Sequence, residues 1–291
     1  MTIRWYPGHM DKALQKISDA IRSIDVIIEI LDARLPISSS NHQLQELRRK
    51  PWIKLLNKND LADPVVTKSW VRFFEAEKGV RALPLSAKQY REANQLTKLC
   101  LRLAPSRGKP GRPLRAMVVG IPNVGKSTLI NTLAGKSMAK VGDKPAITTT
   151  NQQIDLRNGI ILTDTPGLLW PDMSDQTAAY RLATSGAISA GALDYATVGL
   201  FAANFMMERY PELIKSRYKL DVLPENPTGL IDEIGRRLGC LIAGGLIDQN
   251  RAAEAFLREL RAGKIGRISL EEPEEYIAAM AEDTEVIPCV D

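Results

Sequence analysis

The segment GIPNVGKS, residues 120–127, fits the spacing G-x-x-x-x-G-K-[ST] between an apolar strand-like run and a helix-like one. That is the context in which this spacing binds phosphate. Gly120 and Gly125 permit a tight backbone turn. The N–H groups of Asn123, Val124, Gly125 and Thr128 then surround phosphate oxygens at a helix N-terminus. Lys126 is placed to pair with the β- and γ-phosphates, and Ser127 to hold Mg²⁺. A second segment, NKND at 57–60, ends another apolar run. The Asp60 carboxylate can accept from guanine N1–H and the 2-amino group; adenine lacks the 2-amino donor and would leave it unpaired, which supports discrimination. Asn57 suits the O6/N7 edge, and the Lys58 stem can cover the ring. SAK, 86–88, follows the next strand and offers the backbone N–H groups of Ser86 and Ala87 to O6. In DTPG, 164–167, Asp164 would act on Mg²⁺ through water and the Gly167 N–H would meet the γ-phosphate. Between the two phosphate segments lies PAITTT, 145–150. One of its threonines is expected to complete the Mg²⁺ shell; spacing favours Thr148, then Thr149. After DTPG comes Leu168, which has no group to orient a water, where many GTPases carry glutamine.

These residues need a scaffold that brings loops together at one edge. DVIIEILDA (25–33) is almost continuously apolar, as a parallel strand buried on both faces should be. WIKLLNKND, ALPLSAK, RAMVVGIP and NGIILTDTPG each begin as a strand and end in one of the loops above. Helical spacing is expected over 10–23, 41–49, 64–78 (with Gly79 as cap) and from about 89 to Leu103. Strands alternating with helices predict an α/β fold, a mostly parallel sheet with helices on both faces. From 176 onward the pattern is helical, in runs near 177–190, 197–210, 229–245 and 250–263. The expected division is therefore a nucleotide-binding domain over 1–175 and a small all-helical domain over 176–291.

The order of the loops is unusual. NKND and SAK precede the phosphate loop, as if the circle of elements had been opened after DTPG and its old ends joined through APSRGKPGRPLR, 104–115. Such reordering is tolerated where ends are close and connections exposed. Opened there, the N-terminal WYPGHM starts near the DTPG switch, so His9 can reach the γ-phosphate region. Position alone leaves two roles open for it: orienting the water that Leu168 cannot, or capping the next helix and packing on Trp5.

With its motifs in this order, the chain resembles the circularly permuted GTPases of the ribosome biogenesis GTPase A type, bacterial large-subunit assembly factors. The resemblance runs through WYPGHM, LDARLP, LLNKND, GIPNVGKSTLIN, GDKPAITTT, DTPGLLWP, GLIDEIGRRLGCLIAGGLID and GKIGRISLEEP, nearly the whole chain. Ala146 departs from it, since a glycine is usual there. The resemblance implies GTP hydrolysis to GDP with Mg²⁺, a catalytic His9, and K⁺ bound by Asn123. It also implies a monomer whose partners are rRNA and the precursor of the large (50S) subunit, bound in the GTP state and released on hydrolysis. Arg236, Arg237, Arg251, Arg258, Arg261, Lys264 and Arg267 are then the candidates for RNA contact, unless they are solvated helix faces. A GTP-gated RNA-binding module with negligible chemistry is the alternative, and Leu168 is the feature that favours it.

Composition agrees with a nucleic-acid partner and excludes several other classes. Residues 1–115 carry 22 Lys and Arg against 11 Asp and Glu, and eight acids follow Ile268 with no base among them. A basic face attracts phosphate polymers. The scattered Cys100, Cys240 and Cys289 and only two histidines exclude a Cys/His metal site and suit a reducing compartment. No apolar run approaches ~18 residues, and MTIRWYPGHM has no leader features, so cytoplasm is expected.

Overall fold

The structure is a computed structural model and describes residues 20–41, 50–135, 152–165, 175–188 and 194–278. Among the described residues six strands form one sheet: β1 (Val26–Asp32), β2 (Trp52–Asn57), β3 (Val80–Pro84), β4 (Leu114–Val119), β5 (Gln152–Asp155) and β6 (Ile160–Asp164). Their spatial order is β3-β2-β1-β4-β6-β5. All neighbours are parallel except β5, which runs antiparallel to β6 at the edge. The phosphate-loop strand β4, fourth in sequence, thus lies between β1 and β6. The segment 104–115 connects the helix before it to β4 through a tight turn, with the Gly108 N–H on Arg112 O at 2.9 Å. These are the connections of a circularly permuted P-loop GTPase fold.

The central strands β1 and β2 read as nearly continuous apolar runs because both sheet faces are covered there. Alternate residues of β1 and β2 enter different cores, Ile28, Ile30, Ile53 and Leu55 on one face, Ile27, Leu31, Trp52 and Leu56 on the other. The period of two puts neighbours on opposite faces. One charged pair interrupts the apolar centre. Register sets Glu29 beside Lys54, and they form an ion pair of 2.7 Å with both side chains buried. Burial alone would raise the Glu29 carboxyl; Lys54, with the donors of Asn41 and Ser40, outweighs it and holds the group below its ordinary value.

The α-helices lying wholly within the described residues include α1 (Pro64–Glu75), α2 (Tyr90–Leu103), α3 (Lys126–Ala134), α4 (Gln176–Ser185), α5 (Tyr195–Arg209), α6 (Pro211–Tyr218), α7 (Pro227–Arg237) and α8 (Gln249–Arg261). Asp63, Asp175, Asp194, Asn226 and Asp248 each stand before a helix and accept from its first free N–H groups. The expected helix over 64–78 ends at Glu75, because Ala76 caps it and Gly79 serves the turn into β3 instead. The run 229–245 is not one helix: α7 stops at Arg237, and Gly239, Gly244 and Gly245 take positive φ in the turn that follows. Two elements escaped the periodicity. β5 has only four residues with Ile154 alone buried, and α6 starts on Pro211, which suits a first helical turn. The helix expected over 41–49 lies outside the described residues, as does most of that over 10–23.

After α8 the chain returns to the sheet. The Ile268 N–H bonds Leu61 O at 3.0 Å and the Leu270 N–H bonds Arg34 O at 2.6 Å. Glu271, first residue of the acidic tail, is buried rather than solvated. Its carboxylate accepts from Ile37 N at 2.8 Å and Ser38 N at 3.0 Å, and from the Ser38 hydroxyl. Burial pushes this carboxyl above its ordinary value, more than these donors lower it.

Candidate nucleotide site

The loops after β4, β2, β3 and β1 meet at the carboxyl edge of the sheet, the usual ligand position of such folds. In the phosphate loop Gly120 has φ +151 and Gly125 φ +106, values that disfavour a side chain. A Cβ on Gly125 would also lie 2.3 Å from Asn57 Nδ2. Helix α3 begins at Lys126, so its first N–H groups point into the loop. Lys126 is buried and donates to Gly120 O at 2.9 Å and Ile121 O at 2.8 Å. Burial lowers its pKa to about 8, and nearby Asp164 works against that shift.

Asp164 is buried at the end of β6, in register with Val118 of β4. The next residue, Thr165, pins this turn by donating to Val118 O at 2.7 Å. The Ser127 hydroxyl and the Asp164 carboxylate are hard oxygen donors on the two segments that flank Lys126. They fit a Mg²⁺ ion that takes the rest of its shell from phosphate and water. Asn123 holds φ +59 and donates its amide N–H to Gly186 O at 3.2 Å. This leaves the amide oxygen, the atom a K⁺ ion needs, at the opposite end of the group. His9, Thr148, Gly167 and Leu168 lie outside the described residues.

At the base-recognition end the geometry changes three expectations. The Asn57 side chain is not directed at a base edge. Its Nδ2 donates to Val124 O at 2.5 Å and its Oδ1 accepts the Ala87 N–H at 2.8 Å, so it ties the phosphate loop to the SAK loop. Nor are the N–H groups of Ser86 and Ala87 directed outward. The first donates to the Glu92 carboxylate at 2.6 Å and the second to Asn57 Oδ1, acceptors that the fold itself brings to the SAK loop. Lys58, at φ +59, has its ammonium anchored on Asp32 at 2.9 Å and lines the cleft. Asp60 is exposed and lines the same cleft.

Asp32 and Arg34 were not singled out from the sequence, although LDARLP contains them. Arg34 donates through Nε and Nη2 to both Asp32 oxygens, at 2.9 and 2.7 Å, with both side chains buried. Burial would raise the Asp32 carboxyl, but Arg34 and then Lys58 hold it far below the carboxylate range. The available signal was an aspartate ending an almost continuously apolar strand, with an arginine two residues on.

The cleft has a volume of about 600 Å³, and its far wall comes from the helical part: Ser185, Gly186, Ile188, Tyr195 and Arg261. Arg261 is half-buried and bonds the carbonyls of Thr184 and Ala183 at 3.0 and 2.7 Å. It therefore faces the cleft, not an outer helix surface, because α8 crosses the end of α4. Arg267 also leaves the RNA-facing set: it holds the NKND loop through Ala62 O at 2.7 Å and Asn59 O at 2.9 Å. Arg236 and Arg237 pair with Glu233 and Arg258 pairs with Glu254, all on their own helices, and Lys264 lies 3.9 Å from Glu259. Arg251 is exposed on α8.

Comparison with known proteins identifies the family of the chain. Residues 115–202 match the family model described as 50S ribosome-binding GTPase. The chain is 44% identical to ribosome biogenesis GTPase A of Bacillus cereus over 99% of both chains. Among solved structures it resembles the GDP-bound YlqF of T. maritima (29% identity, TM-score 0.65, 89% of this chain and 99% of that one). It resembles the GNP-bound form of that protein equally (30%, 0.64, 90% and 99%). The phosphate loop, the loops after β1, β2 and β3, and Asp60 line one cleft of a permuted sheet, and the chain belongs to the ribosome biogenesis GTPase A family of GTPases.

Proposed function

We propose that this GTPase acts on the large (50S) ribosomal subunit precursor, binding it and its rRNA in the GTP state and leaving on hydrolysis. The observation that carries this is the shared cleft: one wall is built from nucleotide-sensing loops and the other from the helical part. A γ-phosphate that orders the switch after Asp164 then biases the helical part that follows it directly in the chain. In this reading 1–175 forms the GTPase domain and 176–291 the ribosome-binding domain. Arg236, Arg237, Arg251, Arg258 and Lys264 serve as RNA contacts. The protein works as a cytoplasmic monomer; among the described residues no helix is long and apolar enough to cross a membrane.

His9 orients the attacking water in place of the residue at Leu168, one of Thr148 to Thr150 completes the Mg²⁺ shell, and the Gly167 N–H meets the γ-phosphate. Asn123 holds a K⁺ ion beside the phosphates, where a cation offsets developing charge. Phosphate release from GTP in KCl, with and without large subunits, tests the reading. Subunits stimulate the wild type, and His9→Ala binds GTP normally while losing on the order of 10²–10⁴ in rate. Equal stimulation of His9→Ala makes His9 structural. Absence of turnover under both conditions favours the GTP-gated RNA binder. A rate unchanged when Na⁺ replaces K⁺ removes K⁺ from the mechanism.

A further inference from the structure

We propose that Arg261, carried by the helical part, is a phosphate-binding residue of the nucleotide cleft, directed at the α- or β-phosphate that GDP and GTP share. The proposal rests on the assignment of this cleft to guanine nucleotide.

Its placement comes first. Arg261 lines the cleft together with Asn123, Gly125 and Thr128, the outer turn of the phosphate loop and the start of α3. It packs on Gly186, where a Cβ would lie 3.2 Å from Arg261 Nε. The Gly186 carbonyl in turn accepts from Asn123 Nδ2 at 3.2 Å. One residue therefore separates the guanidinium from the phosphate loop. Lys126 and Asp164, the γ-phosphate and Mg²⁺ residues, are not on this wall.

The group is also pre-aimed. Two of its donors sit on the last carbonyls of α4, the negative end of that helix. This fixes the plane of the guanidinium and lowers the entropy lost when a ligand binds. Tyr195 lies within hydrogen-bonding reach of it.

The charge around it calls for an anion. Arg34 approaches from the other side, with Nη2 3.4 Å from Ser185 O. Arg34 Nη1 is buried with no hydrogen-bond partner among the described residues. Burial, and then the Arg34 charge, push the Arg261 guanidinium below its ordinary value. Asp32 already balances the Arg34 charge, whereas the Arg261 guanidinium rests on two carbonyls rather than on a carboxylate, and a phosphate oxygen is the ligand that balances it. A nucleotide so held bridges the two parts of the chain, so bound nucleotide and the seated helical part stabilise each other.

The test compares binding of guanosine, GMP, GDP and GTP by competition against a fluorescent GDP, using wild type, Arg261→Ala and Arg261→Lys. Loss of a charged hydrogen bond predicts ~10- to 100-fold weaker GDP and GTP binding for Arg261→Ala. Guanosine is unaffected, and Arg261→Lys recovers part of the loss because it keeps the charge. Equal weakening of guanosine and GDP overturns the proposal, since the residue then acts only through the fold; so does unchanged GDP binding. Where Arg261→Ala fails to fold, the comparison rests on Arg261→Lys, whose point charge still weakens GDP more than guanosine. Asp60→Asn separates the two levels of the argument. If it leaves preference for GTP over xanthosine triphosphate intact, the cleft assignment itself falls. If it shifts that preference and the Arg261 variants do nothing, only the proposal falls.

Discussion

Replacing Asn57 by alanine separates a structural role from base recognition. The wild-type amide satisfies the Ala87 N–H at 2.8 Å and the Val124 carbonyl at 2.5 Å, and all three residues are buried. Alanine reaches neither group. Each stranded buried polar group costs about 1–3 kcal/mol, so Asn57→Ala loses about 2–6 kcal/mol in nucleotide-free protein. Against a total of about 5–15 kcal/mol that is a large fraction. Asn57→Asp is the sharper variant. Its carboxylate still accepts from Ala87, but its second oxygen meets the Val124 carbonyl where the amide N–H had been. Two acceptors in contact repel, so the phosphate loop is displaced and the loss at least equals that of alanine. Urea denaturation of nucleotide-free protein, repeated with saturating GDP, reads the effect. The reasoning is refuted if nucleotide-free stability stays within about 0.5 kcal/mol of wild type while guanine preference collapses, for Asn57 then reads the base.

The remaining predictions concern the charges that hold the cleft and the returning segment. Asp32→Asn leaves the buried Arg34 without its counter-charge, a change that costs about 3–5 kcal/mol near neutral pH. Because the folded pKa of Asp32 is depressed, its contribution is complete above the ordinary carboxylate value of about 4 and fades as pH falls toward the folded pKa. Stability curves of wild type and Asp32→Asn therefore converge in acid; parallel curves would show that the pair is not the source. Glu271→Ala strands the buried N–H groups of Ile37 and Ser38, costs about 2–6 kcal/mol and speeds hydrogen exchange at those two amides first. Unchanged exchange there would mean that the segment is held by contacts other than the Glu271 carboxylate, such as those of Ile268, Ser269 and Leu270.

Local chemistry was legible in the residues. A glycine-rich turn between an apolar strand and a helix admits few alternatives, and the order of the loops already implied a permuted sheet. The buried strands announced themselves by apolar runs, and the placement of Asp60 at the end of β2 followed from one of them. The carboxyl edge of a parallel sheet collects whatever its loops carry, so the meeting of these motifs followed from the fold class. What stayed hidden depends on partners distant along the chain. Asn57 is taken from the base by Val124, 67 residues away. Glu271 looks like one acid among eight until the amides of Ile37 and Ser38, 234 and 233 residues earlier, bury it. Arg261 looks like a surface base on an amphipathic helix until α8 crosses the end of α4 and turns it into the cleft. Residue type and spacing determine which groups the chain can offer. Only packing decides which of those groups find an internal partner and which remain available to a nucleotide or an RNA.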